Sequence, residues 1–210
     1  GAEGNIKLEG DIDLNDLFAS LTKAGAADSQ SITIPAGVEF TIDLNGYTLT
    51  GVDETETSFG LITNKGNLTI VDRKGTGKIA YGDTGNGGNY VSNTIGNSGK
   101  LVIESGLIEN NSSDTVAANG YPHPIDNSGE LTINGGTITN NAHYSSIRIW
   151  CTTDDNTSVT INGGTFYGSI DFQTVSGDPN KGVLTIKGGT FNPDTYTESS
   201  VRLLGFGADV

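Results

Sequence analysis

The sequence predicts an all-β solenoid, a chain wound into stacked coils, because one short motif recurs along its length. The motif is clearest as Leu/Val-Thr-Ile-Asn/Lys-Gly-Gly-Thr-Ile/Phe, at residues 131–138, 159–166 and 184–191. Looser copies begin at residues 40, 68 and 101, so that consecutive copies start 25 to 33 residues apart. A repeat of this length is typical of solenoids, in which each unit buries its apolar side only against the next unit.

Each repeat also contains three strand-like segments, which indicates one coil of a parallel β-helix. The first segment is Leu-Thr-Ile, the second follows the glycine pair, and the third lies beyond a variable loop. The third segments begin at Gly60, Thr94, Pro124, Ser146, Ser169 and Ser200. Three strands per coil, each too short to cross a sandwich, predict a right-handed parallel β-helix of about six coils.

The alternation of apolar and polar residues predicts which side chains face the interior. One isoleucine of each first strand is expected to stack in an aliphatic column, formed by Ile70, Ile103, Ile133, Ile161 and Ile186. Asn134 and Asn162 are expected to take a left-handed backbone at the following bend, because asparagine tolerates it. The glycine pairs after them are expected to turn without a Cβ clash, so valine at the second glycine of a pair would be costly.

The first thirty residues predict a strand and a short helix. Residues 5–14 alternate apolar and polar side chains, which is typical of a half-buried strand. Asn15 is expected to cap an amphipathic helix at residues 16–23 that stops before Gly25 and covers the first coil. We therefore divide the chain into residues 1–30, the N-terminal strand and capping helix, and 31–210, the β-helix, within one structural domain.

Composition limits the classes of partner and the location. The net charge of −14 and only 11 basic residues argue against nucleic acid, whose phosphates need Lys or Arg. No apolar run of 18 residues is present, so membrane insertion is not expected. Cys151 is the single cysteine, which excludes an internal disulfide and indicates a structural thiol. The chain opens without a charged and apolar leader, so we expect that any signal peptide has been removed or never existed.

The repeat copies resemble the right-handed parallel β-helix proteins of the pectate-lyase-like superfold. They look most like the Gly-Gly-Thr-Phe/Ile repeats in secreted and surface proteins of gut bacteria, and residues 32–37 and 43–51 are similar to the usual first coil of that group. The resemblance covers residues 5–204 and implies a secreted or cell-surface location. It does not imply one activity, because such scaffolds carry lyases, hydrolases, adhesins and phage fibre parts.

The resemblance also allows a search for catalytic and metal-binding motifs. Polygalacturonase-like enzymes carry Asn-x-Asp, Asp-Asp, Gly-His-Gly and Arg-x-Lys on successive coils, and of these we find only the pair Asp154-Asp155. We therefore assign no catalytic residue. Residues 154–156 and 178–180 are weak Ca²⁺ candidates without the spacing of a known calcium loop, so we expect neither a metal nor a cofactor.

A column of outward residues on the third strands is the sharper feature. It is expected to run through Thr63, Gly96, Asp126, Arg148, Asp171 and Arg202, with charges of alternating sign on neighbouring coils. It is either a surface charge ladder that sets coil register or a polar strip that binds a carbohydrate. With the aromatic and histidine residues nearby, the candidate ligand-binding set is Tyr121, His123, Asp126, His143, Tyr144, Arg148, Trp150 and Asp171.

Two simpler interpretations stay open at this point. Trp150 would pack under its own loop while His143 and Tyr144 cap the adjacent coil. An outward threonine file on the first strands, Thr69, Thr132, Thr160 and Thr185, is expected to reflect ordinary β-propensity rather than a binding surface.

The predicted function is a non-enzymatic secreted or cell-surface module for adhesion, glycan recognition or spacing. Its expected partner is a carbohydrate or another surface protein, and the chain is expected to be a monomer or part of a larger chain. The first alternative is a polysaccharide lyase or glycoside hydrolase of the pectate-lyase-like group. The second is a phage fibre or capsid appendage, which would be a trimer.

Overall fold

The fold consists almost entirely of parallel β-strands. A computed structural model describes residues 2–23, 31–52, 60–82, 92–112, 122–141, 145–151, 157–174 and 182–192. The strands in these segments form three parallel sheets of seven, seven and six strands. The part of the chain that is described contains no helix with the length and apolar character needed to cross a membrane.

Each of the first six coils contributes one strand to each sheet, and the seventh contributes described strands to the first two sheets. The first sheet contains β1 (Ala2–Lys7), β4 (Val38–Asp43), β7 (Asn67–Val71), β10 (Lys100–Ile103), β13 (Glu130–Ile133), β16 (Ser158–Ile161) and β19 (Val183–Ile186). The second contains β2 (Ile12–Asp13), β5 (Thr48–Gly51), β8 (Lys78–Tyr81), β11 (Leu107–Asn110), β14 (Thr137–Asn140), β17 (Thr165–Tyr167) and β20 (Thr190–Asn192). The third contains β3 (Ile32–Ile34), β6 (Ile62–Asn64), β9 (Ile95–Asn97), β12 (Ile125–Asn127), β15 (Ile147–Cys151) and β18 (Ile170–Thr174). This arrangement confirms the parallel β-helix of six to seven coils.

The interior is built from columns of aliphatic side chains that stack in register. Strand pairing places Ile103 against Ile70 on one side and Ile133 on the other, and Ile133 against Ile161. These four residues are fully buried, as expected from the alternation of the strands. Ile186 continues the column but is 39% exposed, and it lies on the last of the described strands of its sheet.

The bend after each first strand depends on its glycines. Gly136, Gly164 and Gly189 have φ values of 87°, 101° and 114°. Among the described residues only Asn45 has a positive φ without being glycine, so the left-handed conformation expected for Asn134 and Asn162 is wrong. The second glycine of each pair takes the left-handed position instead, because it has no Cβ to clash with the neighbouring coil.

A ladder of buried asparagines closes the turn at the end of the third sheet. Asn64 Nδ2 donates to Asn97 Oδ1 at 2.7 Å, and Asn97 Nδ2 donates to Asn127 Oδ1 at 2.6 Å. All three residues are fully buried. The ladder therefore supplies hydrogen-bond partners inside a turn that water does not reach.

Helix α1 (Leu14–Lys23) follows β2 near the start of the chain. Asp13 Oδ1 accepts a hydrogen bond from the Asn15 backbone N–H at 2.9 Å, so Asp13 caps the helix and the expected role of Asn15 is wrong. The Asn15 side chain instead bonds both backbone groups of Val52. Leu14 is buried whereas Leu17 is 44% exposed, and the covering role of the helix remains a prediction.

Candidate functional site

The structure places five of the eight candidate ligand-binding residues. His123, Asp126, Arg148, Trp150 and Asp171 lie on or beside the third sheet. The other three candidates, Tyr121, His143 and Tyr144, lie outside the described residues, as do Arg202 and both weak calcium candidates.

The charged column forms because neighbouring strands of the third sheet pair in parallel without a shift. Asp126 on β12 is paired with Gly96 on β9 and with Arg148 on β15, and Arg148 is paired with Asp171 on β18. The alternation of charge expected from the sequence is therefore present along the sheet.

The column is partly buried, and neither of its two interpretations, a charge ladder or a carbohydrate-binding strip, is tested by this. Asp126 is only 1% exposed, and Arg148 Nε donates to Asp126 Oδ1 at 3.0 Å while Nη2 donates to Oδ2. Asn93 Nδ2 adds a third hydrogen bond, to Oδ2 at 3.2 Å. A carboxylate this deeply buried needs such partners, because an unpaired charge in the interior is strongly destabilising.

The Arg148 side chain also contacts the aromatic ring of Trp150. The guanidinium carbon lies 5.2 Å from the ring centroid, within the range of a cation–π contact. Both side chains are partly exposed, whereas Asp126 is not. The accessible part of the candidate site is thus a small patch formed by Arg148, Trp150 and Asp171. The positive charge of Arg148 in this patch is already paired with the carboxylate of Asp126.

His123 belongs to the interior rather than to this patch. It is 3% exposed, and its Nδ1 lies 2.8 Å from Ser145 Oγ and 3.1 Å from the Ser145 carbonyl oxygen. Burial, followed by the nearby positive charge of Arg148, lowers the pKa of His123 from 6.5 to about 4. The ring is therefore neutral at neutral pH.

Metal ligands do not converge in the part of the chain that can be described. Within it, no group of three or more His, Cys, Asp or Glu side chains is arranged to hold an ion. Cys151 is buried and forms no disulfide.

A groove lies on the outer face of the first sheet, and the sequence did not predict it. It has a volume of about 620 Å³ and crosses the four strands β1, β4, β7 and β10. Two outward columns line it in register. One consists of Glu3, Glu39, Asn67 and Lys100, and the other of Asn5, Thr41, Thr69 and Val102.

The groove presents hydrogen-bonding groups at the repeat of the coils, about 4.8 Å apart. Glu3 and Glu39 are exposed and lie directly opposite each other, an arrangement that disfavours pairing of the two strands. Asn67 Nδ2 lies 3.4 Å from Glu39 Oε1. The alternation of β4, β7 and β10 already indicated these outward side chains, but the sequence does not show that the surface is concave there.

Comparison of the chain with protein-family models, curated proteins and solved structures gives no match. The description of the fold therefore rests on the strand pairing of this chain alone.

Proposed function

We propose that this chain is a non-enzymatic recognition module of a secreted or cell-surface protein, and that it binds a glycan in the groove of the first sheet. The observation that supports the proposal is the groove itself, about 620 Å³ in volume and lined by two in-register columns of side chains, all of them polar except Val102. A chain of hydroxyl-bearing sugar units is a ligand whose repeated donors and acceptors suit such columns.

The charge of the protein narrows the kind of glycan. The formal net charge is −14, and the groove contains Glu3 and Glu39 against the single cation Lys100. An anionic glycan would be repelled by this surface, so a neutral or amino sugar is the better partner. Asn67, Thr41 and Thr69 would exchange hydrogen bonds with its hydroxyl groups.

A catalytic role has less support from the described residues. Asp126 is committed to Arg148, and His123 is buried with its pKa lowered to about 4. Neither group is free to transfer a proton to a bound substrate. The two residues instead hold neighbouring coils together, which is a structural role.

A glycan-array experiment tests the proposal and distinguishes the two surfaces. Wild-type protein is compared with a groove variant, Thr69→Val/Lys100→Ala, and with a patch variant, Trp150→Ala. We expect binding to neutral or amino glycans that the groove variant loses and the patch variant keeps. Each hydrogen bond to the glycan that is removed should weaken binding about fivefold, because one such bond contributes about 1 kcal/mol.

Two outcomes would contradict the proposal. Binding that Trp150→Ala abolishes and the groove variant retains would move recognition to the Arg148–Trp150 patch. Absence of binding to every glycan would leave a spacer or a protein-binding role. Circular dichroism of all three proteins checks that lost binding does not come from lost folding.

A further inference from the structure

We propose that Asn162 and Asn134 are sites of spontaneous deamidation in the folded protein, and that they react in that order. Both asparagines are exposed, and each is followed directly by glycine, at Gly163 and Gly135. The product would be a column of carboxylates running along the bend after the first sheet. The inference is independent of the proposed glycan site.

Close packing between coils favours a glycine after each of these asparagines. A Cβ on Gly135 would lie 2.7 Å from the Glu104 carbonyl oxygen, and a Cβ on Gly163 would lie 2.7 Å from the Asn134 carbonyl oxygen. Any larger residue at either position would require the neighbouring backbone to shift. Each asparagine is thus followed by the residue that least hinders attack on its side chain.

The backbone nitrogens that would attack the asparagine side chains are available. The backbone N–H groups of Gly135 and Gly163 donate to no described residue. In the reaction the Gly163 nitrogen loses its proton and bonds to Asn162 Cγ, while the Cγ–Nδ2 bond breaks and ammonia leaves with that proton. Water then opens the succinimide ring at either carbonyl, which gives aspartate or isoaspartate.

Asn45 provides an internal contrast, because it also precedes a glycine. The Gly46 N–H donates to Asp72 Oδ1 at 2.7 Å, and Asn45 Nδ2 donates to the Leu8 carbonyl oxygen at 2.9 Å. Both the attacking nitrogen and the leaving group are thus held in hydrogen bonds. We expect Asn45 to be protected while the protein is folded.

Hydrogen bonds along the bend set the order of the two reactive sites. Asn134 is held at both ends of its carboxamide, since Nδ2 donates to Glu104 Oε1 at 2.9 Å and Oδ1 accepts from Asn162 Nδ2 at 2.8 Å. Asn162 is held only through its Nδ2 among the described residues. Once Asn162 has become an acid it no longer donates to Asn134, so the first reaction releases the second site.

Peptide mapping by mass spectrometry tests the proposal. Folded wild-type protein is incubated at mildly alkaline pH below its melting temperature, digested at intervals, and analysed for aspartate and isoaspartate at Asn45, Asn134 and Asn162. Among these three sites we expect conversion at Asn162 first, at Asn134 several-fold more slowly, and least at Asn45. In urea the three sites should convert at similar rates, because in the unfolded chain the rate depends only on the neighbouring residue, which is glycine in each case.

The variant Asn162→Ala tests the coupling between the sites. It removes the hydrogen bond to Asn134 Oδ1, and we expect conversion at Asn134 to become several-fold faster than in wild type. The proposal is overturned if Asn45 converts as fast as Asn162 in the folded protein. It is also overturned if Asn134 and Asn162 convert only when the protein unfolds, or if Asn162→Ala leaves the Asn134 rate unchanged.

Discussion

Gly37 and Gly136 share a left-handed backbone but differ in what surrounds them. Their φ values are 78° and 87°. A Cβ on Gly37 would meet nothing within 4 Å, whereas a Cβ on Gly136 would lie 2.6 Å from the Gly106 carbonyl oxygen. The first glycine is needed for its backbone conformation alone, and the second also for the close approach of two coils.

We therefore expect Gly37→Ala to cost about 1 kcal/mol of unfolding free energy, from backbone strain alone. Gly136→Ala should cost at least about 3 kcal/mol, because the clash adds to the strain. Urea denaturation of the two variants measures the difference. Equal losses would show that coil-to-coil contact at Gly136 relaxes without cost.

The buried pair of Asp126 and Arg148 gives a second prediction at this scale. Arg148→Ala would leave the Asp126 carboxylate buried without its cation, and we expect a loss of about 3–5 kcal/mol. The double variant Asp126→Asn/Arg148→Ala should be more stable than Arg148→Ala alone, since asparagine needs no counter-charge. A double variant less stable than the single one would contradict a dominant role for the unpaired charge.

His123 predicts a pH dependence of stability. Its pKa is about 4 in the folded protein and 6.5 as the ordinary value, so the unfolded chain binds more protons between these two values. The contribution of neutral His123 to the free energy of unfolding is complete above pH 6.5 and is lost as the pH falls toward 4. The total loss is at most about 3 kcal/mol. Urea midpoints measured across this range for wild type and His123→Asn should converge as the pH is lowered. Parallel pH profiles would show that His123 is not the responsible group.

Among the turns between strands, we expect the buried asparagine ladder to contribute more to stability than the exposed hydrogen bond between Asn162 and Asn134. Asn97 is fully buried and bonds to both Asn64 and Asn127, whereas Asn162 bonds to Asn134 at the surface. Asn97→Ala should cost about 2–4 kcal/mol, because it leaves buried polar groups without partners. Asn162→Ala should cost about 0.5 kcal/mol. Thermal denaturation of both variants compares them, and similar costs would refute the role assigned to the ladder.

The strands were predictable from the sequence because their pattern has a fixed period. The apolar residues that alternate around Ile103 and Ile133 can face the interior in only one way, and the structure buries both. The bend was less predictable. Asn134, Gly135 and Gly136 all tolerate unusual backbone conformations, and it is Gly136 that takes the left-handed position, packed closely against the preceding coil.

The candidate site could be predicted only in part. The repeat correctly aligned Asp126, Arg148 and Asp171, because alignment follows from spacing. It did not reveal that Asp126 is buried, since burial of an outward side chain depends on segments outside the repeat. The groove was missed for a related reason, because the residue pattern of the first sheet does not show where its outer surface is concave.

At the scale of the whole molecule, the solenoid repeats the same outward position on every coil of the first sheet. Thr69 lies within the groove, and Thr160 lies in the same column beyond it. Both threonines are on parallel strands with the same neighbours in sequence, Leu or Val before and Ile after. They form a matched pair that differs mainly in position relative to the proposed ligand.

The measurement that tests glycan recognition by the groove most directly is calorimetric titration of Thr69→Val and Thr160→Val with a glycan that wild type binds. We expect about fivefold weaker binding for Thr69→Val, from the loss of one hydrogen bond, and unchanged binding for Thr160→Val. Equal affinities for the two variants, or weaker binding only for Thr160→Val, would contradict recognition by the groove.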